Sequence, residues 1–358
     1  MEKLSFLAIL LIVGEQRLMD TIQSRRFHRQ GYLKVQRIIP LEMVEAAKKI
    51  IFSRIGALRA SAGASVKSGN VEALAEPSRL MGSAGGEEIF LDLFNKTGLK
   101  KIVERGIGHR VLPPHSAQLA TLFPGVPDGA TNEYGFLDRE TPHYGWTGHL
   151  DGLWNGGTPV PKVGSRLQGA KLKAWNANPS TNGVFKENPE FNANIMNFTA
   201  LVGVALSDQS SLGSGNLGVL RGGHHHMERF FRDQMTKGGP LGPDGPGWER
   251  ENRKAPNRRG LIHYPRAVRD KYAKKAFRSS DGETWPEPDF LRLKPGDAVI
   301  VHSLTPHGGS RVEVPEPRLM VYFRCVSSNR PEANLSVYPR ALCDRLLEWQ
   351  GVKRQLAN

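Results

Sequence analysis

Cysteine is nearly absent: Cys325 and Cys343 are the only two in 358 residues. That excludes a disulfide-stapled scaffold and a cysteine zinc site, and it leaves His and carboxylates to hold any metal. No apolar run long enough to cross a bilayer is present. Leu4 to Val13, behind Lys3, resembles the apolar centre of a signal peptide but is far too short for a span, and no small-residue cleavage site follows it. A translation start at Met19 accounts for it equally well, and a cytoplasmic protein is expected. There is no internal repeat, heptad run or GxxxxGK[ST] phosphate loop, which removes solenoids, coiled coils and P-loop nucleotidases from consideration.

Glycine and proline, by contrast, are plentiful at 39 and 24, too many for a helical bundle. Pro40 opens a helix whose apolar positions Val44, Ala47, Ile50 and Ile51 follow a period near 3.6, and the stretch from Phe27 before it reads as a short strand. Two more helices are expected, Glu87 to Asn95 stopped by Gly98 and Leu99 to Glu104 stopped by Gly106. Beyond Pro114 the chain turns to short β-like runs: Ala117 to Phe123, Ala200 to Leu206, Asn216 to Leu220, Ala298 to Val301 and Leu319 to Val326. Together these predict a mainly β protein with flanking helices, a sandwich or jelly roll. Residues 1–26 read as an N-terminal extension and 27–358 as one domain.

Charge is unevenly spread. The chain carries 49 Lys+Arg against 35 Asp+Glu, a net +14, and the segment Arg221 to Arg278 alone holds 15 basic and 6 acidic residues. This basic insertion, with its Gly-Pro runs, reads as an ordered excursion or a mobile lid between strands, and its charge suggests an anionic partner. Within it, Arg258 and Arg259 are candidates for recognising a phosphate or carboxylate of the substrate. Neither a DNA-binding motif nor a basic groove interleaved with aromatics is visible, which argues against nucleic acid. The triplet His224-His225-His226, read as extended chain, cannot turn all three rings to one ion.

In G-W-T-G-H-L-D-G-L-W, His149 and Asp151 stand two apart, so on a strand both side chains leave the same face. A second segment, beginning G-D-A-V-I-V-H-S-L-T-P-H-G-G-S-R, supplies His302 and His307, and Arg318 lies eleven residues past His307. His149, Asp151 and His307 make a 2-His-1-carboxylate set, the donor type that holds Fe(II) on one face and leaves adjacent positions open for a chelating cosubstrate and O2. Arg318 offers a guanidinium fork to a distal carboxylate, as 2-oxoglutarate would require. His302 is read as a packed histidine.

These residues resemble the phytanoyl-CoA dioxygenase-like branch of the Fe(II)/2-oxoglutarate-dependent oxygenases. The likeness spans most of Phe27 to Gln350: the entry F-H-R-Q-G-Y-L-K-V-Q-R-I-I-P, the H-L-D-G strand, the block L-S-D-Q-S-S-L-G-S-G-N-L-G-V-L-R-G-G-H, and P-H-G-G-S with Arg318. The resemblance implies a double-stranded β-helix (jelly roll). It also implies oxidative decarboxylation of 2-oxoglutarate to succinate and CO2, coupled to hydroxylation of a small organic, anionic or lipid-like substrate. By family position, Gln118 and Thr199 would neighbour the cosubstrate.

Two departures stand out. The family's H-G-S turn is lengthened here to His307-Gly308-Gly309-Ser310, which displaces the Ser310 hydroxyl expected near the cosubstrate carboxylate. Gly148 stands where many relatives have Trp before the metal-binding His, so Trp146 and Trp154 become the expected aromatic wall of the substrate pocket and Trp175 a packing residue. Two other functions stay open at this stage: demethylation of nucleic acid or protein by the same chemistry, and a jelly-roll binding protein without turnover. The oligomeric state is open as well.

Overall fold

The computed structural model describes residues 19–67, 84–124, 142–146, 148–151, 198–238, 241–242, 246–248, 264–278, 284–330 and 339–358. Helix α1 (Thr21–Gln30) comes first, fixed at both ends by local chemistry. Asp20 accepts the Gln23 amide, Gln23 returns the favour to the Asp20 amide, and Gly31 closes the helix in the left-handed region at φ 82°. Phe27 is therefore helical, not the start of a strand, and only Tyr32–Val35 (β1) is extended. Met19 and Ser24 are buried, so the packed domain reaches back into the segment read as an extension and includes residues 19–26.

Helices α2 (Leu41–Lys67), α3 (Glu88–Asn95) and α4 (Gly98–Ile107) follow. Two glycines work differently from expectation. Gly98 opens α4 behind the cap Thr97, and the left-handed Gly108 ends it. Gly106 lies inside α4 because a Cβ there would stand 2.8 Å from Met19 Sδ and 3.1 Å from Trp349.

Among the described residues, β1, β2 (Gln118–Leu122), β3 (Ala200–Ala205), β8 (Ala298–His302) and β10 (Arg318–Cys325) form one antiparallel sheet in the order β1-β8-β3-β10-β2. A second antiparallel sheet holds β7 (Asp289–Leu291), β4 (Leu217–Val219) and β9 (His307–Gly309). From β7 onward the chain alternates between the sheets, β8 to the large, β9 to the small and β10 to the large, and this is the double-stranded β-helix, or jelly roll. A small outer ribbon pairs β5 (Ala276–Arg278) with β6 (Thr284–Pro286).

Period-2 alternation divides the interior cleanly. Val202, Val204, Ala298, Ile300, Leu319, Val321 and Phe323 point to the helix layer, where they meet Val44, Ile51, Phe90, Leu93, Phe94, Ile102 and Val103. Their strand neighbours Leu201, Ala205, Val299, Val301, Met320 and Tyr322 face Leu217, Val219 and Leu291 of the small sheet. Each Val, Leu, Ile, Met or Phe among them, fully buried, contributes about 1.5–3 kcal/mol.

The back of the small sheet is covered by helix α5 (Gly223–Lys237), whose Met227 and Phe231 pack with Trp146, Leu150, Leu220, Tyr264 and Leu304. This corrects the reading of Arg221 to Arg278 as a lid: its first part is a core helix. It also corrects the extended reading of His224-His225-His226, which lie in the first turn of α5 behind the left-handed Gly222. Helices α6 (Arg266–Arg269), α7 (Pro339–Cys343) and α8 (Gln350–Ala357) complete the described α-helices, and none of the described helices is long and apolar enough to cross a membrane.

Candidate metal centre

Three side chains converge because of backbone pairing. The His149 amide donates to the His307 carbonyl at 2.8 Å and the His307 amide to the His149 carbonyl at 3.0 Å, an antiparallel bridge that adds this segment to the free edge of β9. Residues directly opposite on antiparallel strands put their side chains on the same face. Asp151, two residues on from His149, joins them, while the intervening Leu150 turns back into the core behind the sheet. His307 pairs in register with Val219, which faces the interior between the sheets, so the triad opens toward that interior.

His149 Nε2 and His307 Nε2 lie 3.6 and 4.0 Å from the same oxygen, Asp151 Oδ1. One donor atom from each of the three lies within 4.8 Å of the others. His307 Nδ1–H donates to the Thr305 carbonyl at 2.9 Å, which reserves Nε2 as the free lone pair. Burial pushes the His307 imidazole down to about 4, with nearby His149 adding to the effect, so it is neutral at pH 7. Burial alone would raise the Asp151 carboxyl, but His149, Arg324 and His307 outweigh it and hold the group well below the usual carboxylate range. A neutral His307 imidazole and an ionised Asp151 carboxylate are protonation states that suit a divalent ion.

Arg318 opens β10 on the interior face, and its guanidinium lies over Gly309: a Cβ at Gly309 would collide with Nη1, and one at Gly215 would stand 2.8 Å from Cδ. Glycine at both positions makes room for the arm. Gly309 is two residues along β9 from His307, roughly 7 Å of strand. Arg318 is 8% exposed, its Nη1 donates to the Gly215 carbonyl at 3.3 Å, and its Nε is buried without a partner among the described residues. The Ser310 hydroxyl, next in the chain after Gly309, is also buried and has no partner among the described residues. A buried polar group with no partner costs about 1–3 kcal/mol, so both atoms favour an occupant with oxygen acceptors.

Arg324, not anticipated as a site residue, completes the group. Its Nε donates to Asp151 Oδ2 at 2.7 Å and its Nη1 to Gln118 Oε1 at 3.0 Å. Its signal was present: Arg318, Met320, Tyr322 and Arg324 alternate along one strand and so share a face. Gln118 is thus engaged with Arg324. The Thr199 hydroxyl accepts the Ser327 amide at 2.9 Å, which ties the start of β3 to the turn after β10.

Trp146 is placed behind the triad, contrary to the expected pocket wall. Its Nε1 donates to the Gly218 and Gly308 carbonyls, both at 3.1 Å, and a Cβ at Gly308 would point at its ring. Gly308 adjoins His307 in the strand, so its Cβ direction is opposite to that of His307; Trp146 backs the small sheet at 1% exposure. His302 is packed as expected, with Nε2 against the Arg345 carbonyl at 2.8 Å and its ring stacked on Trp349. Trp154, Trp175, Arg258 and Arg259 lie outside the described residues.

No family model matches the sequence, and no curated protein is similar to it. Among solved structures, AviO1 from Streptomyces viridochromogenes Tue57 is 13% identical over 87% of this chain and 96% of its own, with a TM-score of 0.39. HygX from Streptomyces hygroscopicus, with nickel and 2-oxoglutarate bound, is 14% identical over 87% of this chain and 88% of its own, with a TM-score of 0.40. SnoK, a non-heme alpha ketoglutarate dependent carbocyclase from nogalamycin biosynthesis, is 13% identical over 84% of this chain and 82% of its own, at 0.37. Scores this low do not pass the neighbours' chemistry to this chain.

Proposed function

We propose that this protein is an Fe(II)- and 2-oxoglutarate-dependent oxygenase of the phytanoyl-CoA dioxygenase-like type that hydroxylates a small organic, anionic substrate. The observation that supports it most is the bridge between His149 and His307, which sets two imidazoles and the Asp151 carboxylate on one face with their donor atoms within 4.8 Å. His149, Asp151 and His307 would hold the metal. Arg318, whose guanidinium lies over Gly309, two residues along β9 from His307, would take the distal carboxylate of the cosubstrate with its buried Nε–H as one donor and Ser310 as a second. Bound iron would supply O2 chemistry coupled to decarboxylation of 2-oxoglutarate.

The chain's own contribution is placement. Thr305 keeps the His307 lone pair directed inward, and Arg324 donates to Asp151 Oδ2. Arg318 and Arg324 share the interior face of β10 with a single ligating carboxylate nearby, an excess of positive charge suited to an anionic cosubstrate and substrate. Arg258, Arg259 and Trp154 remain candidates for contacting that substrate. The test is succinate formation from 2-oxoglutarate with and without Fe(II) in the intact chain. Iron-dependent succinate supports an oxygenase, whereas binding of both iron and 2-oxoglutarate without succinate would make the protein a binding module.

A further inference from the structure

We propose that Arg324 is a positioning residue that restricts Asp151 to one-oxygen coordination and so keeps the neighbouring metal position free. This rests on the metal-centre reading above. Both histidine donors approach the same carboxylate oxygen, Oδ1. The other oxygen, Oδ2, takes the Arg324 Nε–H at 2.7 Å. A carboxylate so divided has one oxygen for an ion and one already committed.

The arginine is itself held from two further sides. Its Nη1 donates to Gln118 on β2 at 3.0 Å, and its guanidinium carbon stands 5.8 Å from the centroid of the Phe198 ring. It also shares the interior face of β10 with Arg318, so one strand supplies both the arm for the distal carboxylate and the clamp on the metal-ligating carboxylate. An unclamped Asp151 can chelate an ion through both oxygens and occupy a position that a two-point cosubstrate needs. Lysine at 324 retains donors for Oδ2 but loses the rigid planar fork that fixes the link to Gln118.

The experiment loads the intact chain with Co(II) alone and counts the Asp151 oxygens on the metal, by crystallography or X-ray absorption, in wild type, Arg324→Gln, Arg324→Lys and Asp151→Ala. One oxygen is expected in wild type and in Arg324→Lys, and two in Arg324→Gln. Titration of the Co(II) forms with 2-oxoglutarate should show a dissociation constant about tenfold higher for Arg324→Gln, recovered in part by Arg324→Lys. Two oxygens in wild type would overturn the proposal whether or not the variants fold, as would one oxygen in a folded Arg324→Gln. Co(II) bound equally well by Asp151→Ala would instead overturn the metal-centre reading, and this proposal with it.

Discussion

Asp151 is the residue on which the site turns, since it is a buried carboxylate kept ionised by the groups that share its work. His149→Ala, Asp151→Ala and His307→Ala should each lower metal affinity by more than the ~10–100-fold that loss of a supporting partner costs. His302→Ala, five residues from His307, should keep the metal; metal content after dialysis checks all four. Arg318→Lys should raise the 2-oxoglutarate constant roughly ten- to a hundredfold, because the loss of a charged hydrogen bond is worth ~1.5–3 kcal/mol. Gly309→Ala is expected to do the same by a different route. Its Cβ would meet only the far end of Arg318, which can swing away, so 2-oxoglutarate binding should weaken in calorimetry while the melting temperature and metal affinity stay close to wild type.

At the scale of elements, the strands were legible because their runs of β-branched and aliphatic residues are bounded by Gly, Pro and Asp, and β2, β3, β4, β8 and β10 fall within a residue or two of expectation. His149 and Asp151 could be paired from the sequence because i, i+2 spacing on a strand is a statement about faces, whereas His307 and Arg318 were picked out by their spacing of eleven residues and by the family resemblance. Other features were not. The helical nature of Thr21–Gln30 depends on the Asp20–Gln23 capping box, upstream of where the domain was taken to begin. Gly106 and Gly98 looked like helix stops, yet Gly106 is small only because Met19 and Trp349 press on it from distant parts of the chain. The position of Trp146 follows from three glycines, Gly148, Gly218 and Gly308, that come together only in the fold. Gly148→Ala tests that backing: at φ +71° a Cβ would stand 2.5 Å from the Trp146 ring, so a loss of ~1–3 kcal/mol and a lower melting temperature are expected. Unchanged melting would show that Trp146 does not brace this strand.

Across the described elements the layers run from helices through the large sheet, the site-bearing interior and the small sheet to α5, which leaves His302 and His307 buried. Burial pushes His302 and His307 down to about 4 in the metal-free fold, against about 6.5 in an unfolded chain. Unfolding therefore takes up protons in that window. Stability is fully present above pH 6.5 and falls as the pH drops toward 4, by up to about 1.4 kcal/mol per pH unit for each histidine. Urea titrations of the metal-free protein between pH 7 and 4.5 check this, and a flat profile would mean that these rings are solvated. The central claim is that one interior face holds both iron and 2-oxoglutarate, and an anaerobic titration with Fe(II) followed by 2-oxoglutarate reads it directly through the visible charge-transfer band of a chelated α-keto acid. The band should appear in wild type, require both additions, vanish in His307→Ala and need a much higher 2-oxoglutarate concentration in Arg318→Lys. A wild-type protein that binds Fe(II) yet shows no band, or a band that survives in His307→Ala, would contradict the account.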